Sequence, residues 1–169
     1  GQTAAIVGPT GSGKSTIVAL LTRRYDPTSG GVLLDGVPLH RIAPEQLRAA
    51  IGIVPQDAFD FSETIAENIA LGLPVVATSD PAGKQIEHVS RVARLDETVA
   101  EFPQGYNTRL GERGVNLSGG QRQRTTLARA LARDPRVLIL DDALSAVDTH
   151  TETEILEALQ RVFAQRTAI

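Results

Sequence analysis

The sequence predicts an α/β fold: a mainly parallel sheet with helices around it and an α-helical subdomain inserted into it. Three observations carry that expectation. The chain opens on a short apolar run, Ala4-Ala5-Ile6-Val7, followed by a glycine-rich loop and then a helical pattern. Two further apolar runs, Ile51-Gly52-Ile53-Val54 and Val137-Leu138-Ile139-Leu140, have the length and composition of strands buried in a sheet. Between them, helical periodicity replaces the strand pattern. The expected division is one domain, with a core over residues 1–57 and 117–169 and a helical subdomain over 58–116.

Composition narrows the function classes. With 41% hydrophobic and 22% charged residues, the chain has the balance of an ordinary globular protein. A net charge of −3 gives no general attraction to nucleic acid or to an anionic membrane. There is no cysteine, so disulfides and thiolate metal sites are excluded. No apolar stretch approaches the ~20 residues that span a bilayer, and no signal peptide is visible. There is no methionine either, Gly1 leads directly into the first apolar run, and Thr167-Ala168-Ile169 looks like a strand begun. The expectation is a segment of a longer polypeptide, truncated at both ends.

The loop after the first run reads Gly8-Pro9-Thr10-Gly11-Ser12-Gly13-Lys14-Ser15-Thr16, a G-x-x-x-x-G-K-S pattern or P-loop. Its glycines permit backbone conformations in which successive N–H groups point inward and nest phosphate oxygens. The helix expected to begin near Lys14 adds its positive dipole end. Lys14 is expected to reach the β- and γ-phosphates of a nucleotide, and the Ser15 hydroxyl to meet Mg²⁺, which takes few protein ligands.

Asp26-Pro27-Thr28-Ser29-Gly30-Gly31 is a turn cluster, after which Val32-Leu33-Leu34 predicts a strand closed by the turn dipeptide Asp35-Gly36. Pro44 suits the first position of a short helix running to Ala50. Gln56 comes just after the Ile51–Val54 strand, where a neutral amide can face a metal or its water. Helices are expected over Glu63–Ala70, Lys84–Leu95 and Asp96–Phe102, the second burying Ile86, Val89, Val92, Ala93 and Leu95. Leu71 to Gly83 is expected to be a loop. His40, His88 and His150 lack metal-ligand spacing and belong to the surface.

Leu117-Ser118-Gly119-Gly120-Gln121 opens a helix expected to reach Arg133. Ser118 and Gln121 have the spacing of a capping box, and two glycines at the helix start leave bare N–H groups for a second anion. Val137–Leu140 is the expected central strand. Asp141 and Asp142 stand at its carboxyl end, the edge at which parallel sheets bind ligands. Asp141 is placed to hold the Mg²⁺ shell, and Asp142 to polarise an attacking water. A last helix, about Thr151 to Phe163, presents Ile155, Leu156, Leu159, Val162 and Phe163 on one face.

This combination resembles the nucleotide-binding domain of ATP-binding cassette (ABC) transporters, over essentially all 169 residues. The Leu117–Gln121 stretch is the most specific feature. Tyr25-Asp26-Pro27, Val54-Pro55-Gln56-Asp57 and Gly111-Glu112-Arg113-Gly114 resemble the exporter pattern. The resemblance implies a P-loop NTPase (RecA-like) core that binds ATP and Mg²⁺. Gly8 to Thr16 would hold the phosphates, with Ser118, Gly119, Gly120, Gln121 and Asp148 facing a partner across a head-to-tail dimer. Ser15, Gln56 and Asp141 would serve the metal, and Lys14, Gln56 and Asp142 catalysis. It further implies membrane-embedded partner domains, a place at the cytoplasmic face of the cell membrane, and no nucleic-acid partner. Members usually carry Glu where Asp142 stands, and those with Asp are often the slow half of a heterodimeric exporter. The family's switch His and adenine-stacking aromatic would fall outside Gly1–Ile169, so weak ATP affinity and poor turnover are expected of the segment alone. Two other readings remain open from the residues: an ABC ATPase without membrane domains, and a nucleotide-binding module that hydrolyses little because of Asp142.

Overall fold

Two short sheets anchor the fold in the computed structural model, which describes residues 2–74, 81–111 and 114–169. β1 (Leu33–Leu34) and β2 (Val37–Pro38) form an antiparallel hairpin. β3 (Ile51–Val54), β4 (Val137–Leu140) and β5 (Thr167–Ala168) form a parallel sheet with β4 in the centre. The helices are α1 (Lys14–Leu21), α2 (Pro44–Ala50), α3 (Ile65–Ala70), α4 (Pro81–Val92), α5 (Asp96–Ala100), α6 (Gly119–Ala132) and α7 (Thr149–Phe163).

Local sequence explains most of these boundaries. Asp35 and Gly36 have φ of 50° and 80°, the pair of left-handed conformations that a two-residue type I′ hairpin turn demands. Pro44 opens α2, where its missing N–H costs nothing. Leu138 and Ile139 of β4 are wholly buried, as a central strand requires. α4 starts earlier than its periodicity indicates and ends sooner, because Arg94 takes a left-handed φ of 52° and breaks the helix before Leu95. α5 ends at Ala100, short of the expected Phe102. α3 begins at Ile65 because Thr64 and Glu67 close a capping box that fixes its first turn. The loop expected over Leu71–Gly83 and the Gly111–Gly114 segment lie partly outside the described residues.

Two expectations are corrected. Ala4–Val7 is not a strand. Among the described residues this part of the chain pairs with β5 through a parallel bridge from Thr3 to Ala168, in which the Ala4 N–H donates to the Ala168 carbonyl and the Ala168 N–H to the Gln2 carbonyl, both at 2.9 Å. Among the described residues nothing lies alongside Ala5–Val7 to continue the ladder, and Ile6 and Val7 are 40% and 90% exposed. An apolar run becomes a strand only where a neighbour supplies hydrogen-bond partners. Leu156 also leaves the buried face of α7. Ile155 and Leu159, one turn apart, take the core positions, and Leu156 is turned outward.

α6 is the middle layer, packed on β3 on one side and on α3 and α4 on the other. Leu127 and Ala128 fill the space between. A buried polar strut crosses the same interface. Arg129 of α6 donates from Nε to the Asn68 carbonyl, from Nη2 to Asn68 Oδ1 and from Nη1 to the Phe59 carbonyl, all within 2.9 Å. Asn68, itself fully buried, accepts from the Phe61 N–H and donates to the Phe61 and Thr64 carbonyls. Burial pushes the Asp60 carboxyl above the usual carboxylate range, against the pull of Arg129 and Arg122. Segment 57–63, directly after Gln56, is thereby fastened to α6.

Replacing Asn68 by Ala is expected to destabilise the protein by about 3 kcal/mol, because the Phe61 N–H and the Arg129 guanidinium lose a buried partner. Urea unfolding would measure the loss. Acid is expected to loosen the starts of α3 and α7. The Thr151 N–H holds the Asp148 carboxyl, and the Thr64 N–H and hydroxyl hold that of Glu67, below the ordinary carboxylate range. The folded chain therefore binds fewer protons than the unfolded one as pH falls through about 4, and stability falls with it. Asp148→Asn, which keeps the cap without the charge, is expected to flatten that slope in a pH series of unfolding curves.

Candidate functional site

The parallel register sets Ile51 opposite Val137 and Val54 opposite Leu140, so β3 and β4 end at the same level. The segments leaving the two strands therefore emerge side by side. The Asp141 N–H donates to the Val54 carbonyl at 2.9 Å, carrying the ladder one residue further. Gln56 Nε2 then donates to Asp142 Oδ2 at 3.3 Å, across a sequence gap of 86 residues. Asp142 sits at φ 53°, a left-handed conformation that Asp adopts more readily than bulkier residues. The Ser145 hydroxyl donates to its carbonyl at 3.0 Å.

The loop Gly8–Gly13 leads into α1 at the same edge. Gly11 and Gly13 have φ of 83° and 93°, and Gly13 is the N-cap of the helix. Any residue with a Cβ would be strained there. Pro9 accepts from the Ser12 N–H at 3.1 Å, closing the loop on itself. Lys14 Nζ donates to the Gly8 and Pro9 carbonyls at 2.7 and 3.0 Å. Its ammonium is thus held over the loop, on acceptors that an anionic ligand can replace.

One cleft of about 610 Å³ collects these groups. Thr10, Gly11, Gly13, Lys14, Ser15, Thr16, Gln56, Asp141 and Asp142 line it, with Ile6, Leu140 and Ile169 as apolar wall. Gly8, Pro9 and Ser12 sit in the loop above. The cleft brings together a glycine loop, a helix N-terminus and one cation, opposed by two carboxylates, a set of groups suited to a phosphate. Among the described residues no group of three or more His, Cys, Asp or Glu could cage a metal by itself. A hydroxyl, an amide and one carboxylate at a phosphate fit Mg²⁺ instead, which completes its shell from phosphate and water.

The second group of expected residues does not line this cleft. Ser118 caps α6 in a closed capping box, its Oγ accepting from the Gln121 N–H at 3.2 Å while Gln121 Oε1 accepts from the Ser118 N–H at 2.9 Å. Gly119 and Gly120 come next on a partly exposed surface, their N–H groups in the first turn, where a helix cannot satisfy them. The structure adds a reason for these glycines beyond bare amides. A Cβ on Gly120 would lie 2.7 Å from the Ala146 carbonyl oxygen, and one on Gly119 3.2 Å from the Ala146 methyl. Asp148 caps α7, its Oδ1 accepting from the Thr151 N–H at 3.0 Å.

Gln123 and the Asn68–Arg129 strut carry no signal in sequence pattern. Gln123 reads as one more polar residue on a helix, yet it is 4% exposed and bonded at both ends of its amide.

A family model described as "ABC transporter" matches residues 1–145. The chain is 47% identical to the multidrug resistance protein pgp-1 of Caenorhabditis elegans, over 100% of this chain and 13% of that protein. It is 45% identical to an ATM1-type heavy metal exporter of Novosphingobium aromaticivorans, over 100% of this chain and 27% of that one. The solved structure of a bacterial Atm1-family ABC exporter with ATP bound matches at a TM-score of 0.90 and 44% identity, covering 99% of this chain and 29% of the other. The chain thus spans only a minor part of the length of the relatives it matches.

Proposed function

This chain belongs to the ABC transporter family, and from that premise we propose that it is the ATP-binding and ATP-hydrolysing unit of an exporter. The observation that carries the reading is the single cleft shared by Lys14, Ser15, Gln56, Asp141 and Asp142. In the proposed reaction, ATP lays its triphosphate along Gly8 to Thr16. Lys14 exchanges its two carbonyl acceptors for β- and γ-phosphate oxygens. Ser15, Gln56 and Asp141 would hold Mg²⁺, which would supply charge neutralisation for the phosphates. Asp142 orients the attacking water and accepts its proton, while the Gln56 amide fixes the carboxylate.

The amides of Gly119 and Gly120, with Ser118, Gln121 and Asp148, complete the site of a second ATPase domain in a head-to-tail dimer. ATP favours the closed pair because it binds that state best, and hydrolysis reverses the shift. Membrane-spanning domains of the same transporter receive the motion, which places the chain at the cytoplasmic face of the cell membrane. No helix of the described residues is long and apolar enough to cross a membrane. A heterodimer is the favoured pairing. Asp142 is one methylene shorter than the Glu usual in the family, and a misplacement of ~1 Å costs on the order of 10²-fold in rate. The same feature favours a second reading, a site that binds nucleotide and hydrolyses little.

In the full-length assembly, Asp142→Asn is expected to lower phosphate release by about 10²-fold or more while ATP still binds. Lys14→Ala is expected to weaken binding itself. Undiminished release from Asp142→Asn would remove the proposed base. Asp142→Glu separates the two readings: a rise in turnover identifies side-chain length as the limit on a working ATPase, and an unchanged, negligible rate favours the binding module.

A further inference from the structure

We infer that Gln123 is a positioning residue that locks the helix end at Ser118–Gln121 to the loop carrying Asp142, so that the two nucleotide sites of the dimer move as one. The inference rests on the ATPase reading above and concerns a residue outside both sets of site residues.

Gln123 lies on α6 half a turn beyond the capping box, with its side chain turned inward and 4% of its surface exposed. A buried amide is costly unless both of its ends are satisfied, and here both are. Nε2 donates to Ser145 Oγ at 3.1 Å, and Oε1 accepts from the Ala146 N–H at 2.9 Å. Ser145 passes the connection on, because the same Oγ donates to the Asp142 carbonyl at 3.0 Å. The path from the Asp142 backbone to α6 is therefore two hydrogen bonds long. Close packing of Gly119 and Gly120 against Ala146 runs beside it.

The two ends of this path serve different sites in the proposed dimer. Asp142 belongs to this chain's own triphosphate site, whereas the Ser118–Gln121 end closes the partner's. A residue at left-handed φ has few conformations open to it, so its carbonyl direction depends on what holds it. Ser145 and Gln123 hold it. Any rotation of residues 142–146 on hydrolysis pulls on the first turns of α6, and seating of a partner's phosphate on that helix end presses back on Asp142.

The test uses the full-length assembly and two variants. Gln123→Leu removes both bonds at similar volume. Ser145→Ala removes the hydroxyl, and with it both the side-chain bond to the Asp142 carbonyl and the one from Gln123 Nε2, but leaves the bond between Gln123 Oε1 and the Ala146 N–H. Steady-state ATP hydrolysis, equilibrium ATP affinity and thermal midpoint are measured for each variant and for the double variant. A positioning role predicts a kcat about tenfold lower for Gln123→Leu with ATP affinity within about twofold. It also predicts a smaller loss of the same kind for Ser145→Ala, and a double variant no slower than Gln123→Leu alone, since both act along one path. Unchanged kcat in Gln123→Leu overturns the inference. So does a loss fully matched by lost folded protein, or losses that simply multiply in the double variant. A wild-type assembly that hydrolyses no ATP removes the ATPase reading beneath it, an outcome visible before any variant is made.

Discussion

The parallel pairing of β3 with β4 is the constraint on which the site depends. Because the strands run in the same direction and stop at the same level, their exits open together at one edge of the sheet. The Asp141 N–H extends the ladder, and Gln56 and Asp142 meet beyond it. Side chains far apart in sequence need no long reach or strained loop to come together. A slip of one residue would turn Leu138 and Ile139 over to the opposite faces and separate the amide from the carboxylate. Burial of the sheet and geometry of the cleft are thus set by the same register.

α6 gives the fold its second axis. Its apolar residues fill the space between sheet and helices, but several of its polar ones are also turned inward, and three of these reach other segments. Gln123 holds the turn after β4, Arg124 donates to the Arg94 carbonyl and to Thr98 Oγ1, and Arg129 holds the segment after β3. Buried polar links are directional in a way that apolar packing is not, and leaving one half-made is expensive. The helix therefore registers three loops at once. Both segments that leave the cleft edge of the sheet are tied to it.

Much of this architecture is legible in the sequence. The glycine loop, the two buried strands, the Asp35-Gly36 turn, Pro44 and the Ser118 cap all depend on short-range chemistry that residue type displays. The illegible parts depend on neighbours. Ala4–Val7 has strand composition, but among the described residues its pairing with β5 stops at Ala4 and nothing lies alongside Ala5–Val7. Leu156 keeps the apolar period, yet the core takes only the positions one turn apart. Ser118 to Gln121 has the pattern of an anion-binding helix end, and the packing of its glycines on Ala146 adds a constraint that the pattern does not display. Gln123, Asn68 and Arg129 look like ordinary polar residues, because what makes them matter is the partner that folding delivers.

The approach of Gly120 to Ala146 has a consequence for how this chain can diverge. The two positions, with Gly119, share one small volume. A side chain on Gly120 would meet the Ala146 carbonyl, and one on Gly119 the Ala146 methyl, neither of which can swing aside. Drift there is confined to the smallest residues and must be concerted, so lineages would record their separation elsewhere on the surface while this junction stays almost invariant.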